Sequence, residues 1–181
     1  MPSKIFPICF FVLIAFSACQ SRITKYGEEF SQLMMEDDGV FRGINIGDTK
    51  DQVMQTEVKS PSQSTESQLI YEGLIGENDE YTIKYGFENN RLFEILVEVS
   101  FSETADGQKM LNGFRAYFDE KYGPFNKEGG YLVWKTPDGP VNKDVTIEMT
   151  DESEFQDFKN WTLSIYHQAP VAGPVVNEPA L

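Results

Sequence analysis

Between residues 22 and 35, Ile23, Tyr26, Phe30, Leu33 and Met34 recur at spacings of three and four. That period predicts a helix with one apolar side. Glu36, Asp37, Asp38 and Gly39 close it. A second, shorter helix is predicted to about Glu57, opening at Asp48 or Thr49. Either side chain accepts a hydrogen bond from a free first-turn N–H, and Asp51 sets negative charge against the positive end of the helix dipole. The polar stretch from Ser60 to Gln68, which contains Pro61, reads as a loop.

The period then changes to two. Leu69–Ile75 is one predicted strand. In Tyr81–Phe87, Tyr81, Ile83, Tyr85 and Phe87 alternate with Thr82, Lys84 and Gly86. In Arg91–Phe101, Phe93, Ile95, Val97, Val99 and Phe101 alternate with a side carrying Glu94 and Glu98. Asn89-Asn90 tolerates positive φ at both positions, which suits a two-residue hairpin. From Thr104 to Tyr122 the helical period returns, with Met110, Leu111, Phe114, Phe118 and Tyr122 on one side and Lys109, Asp119 and Glu120 elsewhere. Gly123-Pro124 ends that helix, because glycine takes the left-handed cap and proline cannot extend it. Three further strands are predicted: Tyr131–Lys135, then Val145–Met149 after a Pro137-Asp138-Gly139-Pro140 turn, then Trp161–Tyr166. Gln168–Leu181 has three prolines and no period, which predicts a disordered tail.

The order is an N-terminal helix followed by two α-β-β-β units, at about 41–101 and 104–167. Together they predict one α+β domain over 19–167, an antiparallel sheet with helices on one face. The covered face would carry Ile95, Val97, Val99, Ile147, Leu163 and Ile165. Its reverse would carry Lys84, Glu94, Glu98, Thr146, Glu148, Thr162, Ser164 and Tyr166, with Leu92 and Leu96 adding apolar surface. Such a mixture suits either plain solvent exposure or a partner-binding face. Lys84, Glu94, Leu96, Glu98, Glu148 and Tyr166 are its central candidates.

The first 18 residues differ from the rest. Lys4 precedes a run from Ile5 to Phe16 that is apolar apart from Pro7. The run is too short to span a bilayer and has the length of a signal-peptide core. It ends in Phe16-Ser17-Ala18-Cys19. Small residues at a cleavage site also suit ordinary secretion. The ending resembles a bacterial lipoprotein signal, which implies removal of residues 1–18 and acylation of Cys19. In the Gram-negative lipoproteins it resembles, Asp after the Cys favours inner-membrane retention. Gln20 therefore implies the outer membrane, expected here on its periplasmic side.

Charge narrows the partners. The chain has 15 basic and 29 acidic side chains, a net charge of −14, and loss of Lys4 with the signal makes it −15. Such a surface repels nucleic acid and anionic headgroups, so membrane attachment would rest on lipid. Two or more acyl chains anchor stably where one does not. Cys9 would leave with the signal and Cys19 would carry lipid, so the domain has no disulfide and depends on its core.

Candidate chemistry is sparse. His167 is the one histidine and has no Cys or second His to share a metal. No phosphate loop, dinucleotide fingerprint or nucleophile elbow occurs. The acidic run Asp151-Glu152-Ser153-Glu154 lacks the spacing of a calcium loop. The expectation is a non-catalytic protein with neither cofactor nor metal. A carboxylate-pair hydrolase acting on envelope polymers and a purely structural lipoprotein are the alternatives.

Gly43-Ile44-Asn45-Ile46-Gly47-Asp48-Thr49-Lys50-Asp51-Gln52-Val53 resembles the turn-into-helix motif Gly-x-x-x-Gly-x-Thr-x-x-x-Val of the SmpA/OmlA small lipoproteins. Those proteins are accessories of the outer-membrane β-barrel assembly machine. Lys121-Tyr122-Gly123-Pro124 is similar to a helix end in related periplasmic lipoproteins, and the tandem order resembles the β-lactamase-inhibitor-protein fold. The motifs cover about a tenth of the chain, and helix capping alone accounts for them equally well. The resemblance implies an envelope protein that binds another protein or peptide.

Overall fold

The computed structural model of the chain describes residues 22–137, 144–150 and 159–167. The signal segment 1–18, Cys19, the acidic run at 151–154, most of the Pro137–Pro140 turn and the tail 168–181 lie outside the described residues.

The chain folds as an α+β domain. Among the described residues three α-helices, α1 (Glu28–Met34), α2 (Lys50–Thr56) and α3 (Thr104–Tyr122), accompany eight strands. These are β1 (Gln63–Ser64), β2 (Gln68–Ile75), β3 (Asp79–Glu88), β4 (Arg91–Ser100), β5 (Asn126–Glu128), β6 (Tyr131–Lys135), β7 (Val145–Thr150) and β8 (Asn160–His167). All pairings are antiparallel, in the order β1-β2-β3-β4-β8-β7-β6-β5. Each half is thus a helix followed by a four-strand meander, and the last strands of the two meanders meet in the middle. Glu94–Ser100 of β4 pair with Asn160–Tyr166 of β8 at that seam.

The sequence pattern predicts three strands per half, and the fold has four. The additional strands, β1 and β5, are the two outer edges, and their side chains are exposed on both sides. Gln63-Ser64 and Asn126-Lys127-Glu128 therefore carry no alternation by which to recognise them. Short polar edges also discourage pairing with another chain.

The predicted N-terminal helix is broken. Arg22–Tyr26 form a 3₁₀ turn, Gly27 has φ 121°, and α1 starts after it. That φ is one only glycine adopts readily. Ile23, Phe30, Leu33 and Met34 are nevertheless buried as their spacing implies. At α2, Thr49 is the N-cap: its Oγ1 accepts from the Gln52 N–H, while the Gln52 side chain accepts from the Thr49 N–H. This is a reciprocal capping box. Asn89 and Asn90 take φ 50° and 60° at the β3–β4 hairpin, as a type I′ turn requires.

One core lies between the helices and one sheet face. Tyr85, Ile95, Val97, Trp134, Ile147, Leu163 and Ile165 meet Phe30, Leu33, Phe114 and Phe118 there. The Phe114 ring lies 4.6 Å from that of Phe30 and 5.0 Å from that of Trp161. Gly113 lets α3 approach the N-terminal segment, because a Cβ there would fall 2.7 Å from the Tyr26 carbonyl oxygen.

The alternation in β4 fails at one place. Phe93, expected on the core face, is 44% exposed, and Leu92, expected on the open face, is buried. The register passes from Gly86↔Glu94 to Phe87↔Leu92, so Phe93 is the additional residue of a β-bulge. A bulge reverses the facing of residues on one side of it. The Phe93 ring then rests over Gly86, where a Cβ would come within 3.2 Å of it.

Candidate functional site

Polar side chains meet on the open face of the sheet and in a recessed cleft at one end of the core.

On the open face, cross-strand registry sets the neighbours. Lys84 of β3 pairs with Leu96 of β4, and Leu96 with Ser164 of β8, which pairs with Glu148 of β7. One row away, Glu94 pairs with Tyr166, and Glu98 lies opposite Thr162. Lys84, Glu94, Leu96, Glu98, Glu148 and Tyr166 therefore form a continuous belt over the four central strands, all half-buried. Lys84 makes an ion pair with Glu98. The Tyr166 hydroxyl donates to Glu148 at 2.5 Å. Burial, then that hydrogen bond and the Glu148 charge, push the Tyr166 phenol up to about 12. Phe93 joins this face in place of Leu92. Thr146 shares the face but is buried, because its cross-strand neighbours Tyr166 and Lys135 are long enough to cover it.

The cleft follows from a turn that sequence reasoning passed over. Phe41 and Ile44 pair, and between them Arg42 and Gly43 take φ 53° and 78°. This type I′ turn forces a non-glycine residue into the left-handed region, at a cost of order 1–3 kcal/mol. The side chain is held firmly in return. Arg42 Nε and Nη2 donate to the two oxygens of Glu57 at 3.0 and 2.7 Å, and Nη1 donates to the Leu33 carbonyl at 2.7 Å. The Tyr85 hydroxyl donates to the same Glu57 Oε1. Both ionic side chains are almost wholly buried, at 5% and 2% exposure.

Electrostatics inside the cluster are mutual. Burial and then the Glu57 charge hold the Tyr85 phenol well above its ordinary range. Burial works against the Arg42 charge, but the hydrogen bonds and charge of Glu57 outweigh it and the net shift is upward. The Tyr71 phenol is raised by burial and by Glu57, partly offset by Arg42. Its hydroxyl is buried and has no hydrogen-bond partner among the described residues. The Tyr81 ring packs against Gly73, where a Cβ would fall 2.6 Å from it, and Arg42 sits 6.0 Å from the ring centre.

The cleft above this cluster has a volume of about 290 Å³. Arg42, Glu57, Tyr71 and Tyr81 line it, with Val58 and Leu74 at its apolar margin. Two signals in the sequence could have marked its floor: Glu57, which caps the C-terminus of α2, stands four residues after the buried Val53, and Arg42-Gly43 stands between two core residues.

Among the described residues, no group of three or more His, Cys, Asp and Glu side chains is placed to share a metal ion. No described helix is long and apolar enough to cross a membrane. His167 is exposed at the end of β8, opposite Val145. Cys19 lies outside the described residues. Set against protein families, curated proteins and solved structures, the chain matches none.

Proposed function

We propose that this chain is a lipid-anchored protein of the bacterial cell envelope that holds another envelope protein or peptide on the open face of its sheet, without catalysing a reaction. The observation that carries this reading is the belt of six half-buried side chains across β3, β4, β8 and β7. Carboxylates outnumber cations on it, and the chain as a whole is at −14. A partner presenting Lys or Arg beside an apolar residue complements it, with Phe93 and Leu96 as the apolar contacts. The likeness of the 43–53 segment to SmpA/OmlA lipoproteins supports an envelope setting, on the periplasmic side of the outer membrane.

The anchor and the face are tested separately. Cys19→Ser removes the thiol that would take the diacylglyceryl group, so the protein moves from the membrane fraction to the soluble fraction. Retention of the Ser variant in membranes would defeat the anchor. For the face, a photo-crosslinking residue at position 96 should capture one discrete envelope protein. Glu94→Lys with Glu98→Lys should abolish that adduct while the melting temperature stays near that of the parent. Undiminished crosslinking in the reversed variant would remove the face from consideration.

A further inference from the structure

We infer that the cleft beside β2 is a strand-addition site: an extended peptide pairs with bare backbone at Glu72 and Leu74 and sends one carboxamide side chain, glutamine or asparagine, down to Arg42, Glu57 and Tyr71. The inference does not rest on the open sheet face and stands or falls apart from it.

The backbone argument begins with β1. Ser62 N–H bonds to the Ile70 carbonyl, and Thr65 N–H to that of Gln68. Alternate residues of a strand face the same neighbour, so Ile70, Glu72 and Leu74 all turn their N–H and C=O away from β3. β1 covers only Leu69 and Ile70. At the far end, Gln32 Oε1 accepts the Gly76 N–H at 2.9 Å. Between these two stops, the outward backbone groups of Glu72 and Leu74 meet no partner among the described residues. The cleft is lined by these same two residues. An extended peptide would fill this gap between β1 and Gln32, as strand addition does elsewhere. Leu74 and Val58, 59% and 78% exposed, offer it apolar flanks.

The floor selects the side chain. Tyr71 Oη is buried and has no partner among the described residues. Arg42 uses three of its five N–H donors. Glu57 Oε2 accepts a bond from Arg42 and retains a lone pair. The floor thus offers donors and an acceptor together. A carboxamide answers both: its carbonyl accepts from Tyr71 and Arg42, and its amide donates to Glu57. A carboxylate would face Glu57, and a cation would face Arg42. An aliphatic tip would leave the Tyr71 hydroxyl unsatisfied. A second copy of the chain is disfavoured as occupant, since each copy carries −14.

The test uses the purified full chain in detergent and a fluorescein-labelled heptapeptide of alternating threonine and valine with glutamine at its centre. Fluorescence anisotropy should show saturable binding, about tenfold tighter than for the same peptide with central leucine. Tyr71→Phe should weaken that preference severalfold, with Arg42 and Glu57 still in place, and the hydroxyl it removes has no partner among the described residues. Leu74→Pro should abolish binding of both peptides, since it removes an edge N–H that the fold does not use. Glu94→Lys on the open face should change neither. Absence of binding, or binding indifferent to Leu74→Pro, would overturn the proposal. So would exchange-protected Glu72 and Leu74 amides in the free monomer, which would mean that the chain's own terminal segments fill the cleft. Dimerisation lost on Leu74→Pro would assign the edge to a second copy and overturn it equally.

Discussion

Phe114→Ala lowers stability by about 3–5 kcal/mol, the usual cost of emptying a buried phenylalanine site. Phe114 is wholly buried, and its ring touches those of Phe30, Phe118 and Trp161. It joins the N-terminal helix α1, the long helix α3 and the central strand β8. Three rings of different elements cannot all close on one void, so the cavity persists. The loss is a large share of the roughly 5–15 kcal/mol typical of a domain. The thermal midpoint should fall by roughly 6–20 °C. Lys109→Ala on the outer side of α3 is the control. Its ammonium pairs with Asp106 at 2.8 Å, but its side chain is 62% exposed. Exposed pairs contribute little against solvent and salt screening, so its midpoint stays close to the parent. Thermal unfolding of both variants decides the matter: equal, small shifts would show that Phe114 does not join these elements.

Glu57→Ala is expected to be as damaging, for a different reason. The substitution leaves the Arg42 charge and the Tyr85 hydroxyl buried without their shared acceptor. Breaking a buried pair from one side costs about 3–5 kcal/mol, mostly through the charge left behind. Replacing both members, Arg42→Met with Glu57→Leu, removes that charge and should regain most of the loss. Urea unfolding of the single and double variants measures the coupling. If Glu57→Ala unfolds at the parent midpoint, Arg42 is not confined as described, and the floor of the cleft loses its definition.

Much of the architecture was legible because long elements repeat their period many times. Tyr81, Ile83, Tyr85 and Phe87 alternate without interruption, and all are buried. Met110, Leu111, Phe114 and Phe118 likewise mark one side of α3. The belt on the open face followed from the same alternation, since Lys84, Glu94, Glu98 and Glu148 fall between core positions. Local exceptions were not legible. Phe93 looks like a core residue in any period-two reading, and only its place in a bulge against Gly86 turns it outward. β1 and β5 are polar on both sides and resemble loops. The cluster of Arg42, Glu57 and Tyr85 depends on contacts 15 and 28 residues apart in sequence. No local pattern encodes that distance.

The seam between β4 and β8 has a consequence for the chain during its synthesis. The first meander can assemble once residue 100 has emerged, but the strand that will complete it comes last. Ser100 and Asn160 are 60 positions apart, a delay of roughly 3–12 s at ordinary elongation rates. Throughout that interval β4 is an unguarded border, seven residues long where β8 will later lie, and it carries Ile95, Val97 and Val99. In the finished sheet the outermost strands are polar and only two and three residues long, and the stretch of β2 left bare beside β1 is short. The half-made sheet has an adhesive rim, open to the corresponding strand of a neighbouring nascent chain. Any product that stops short of Asn160 would keep that border for good. The weak point of this protein in the cell is therefore the middle of its sheet, and it is exposed only while the molecule is unfinished.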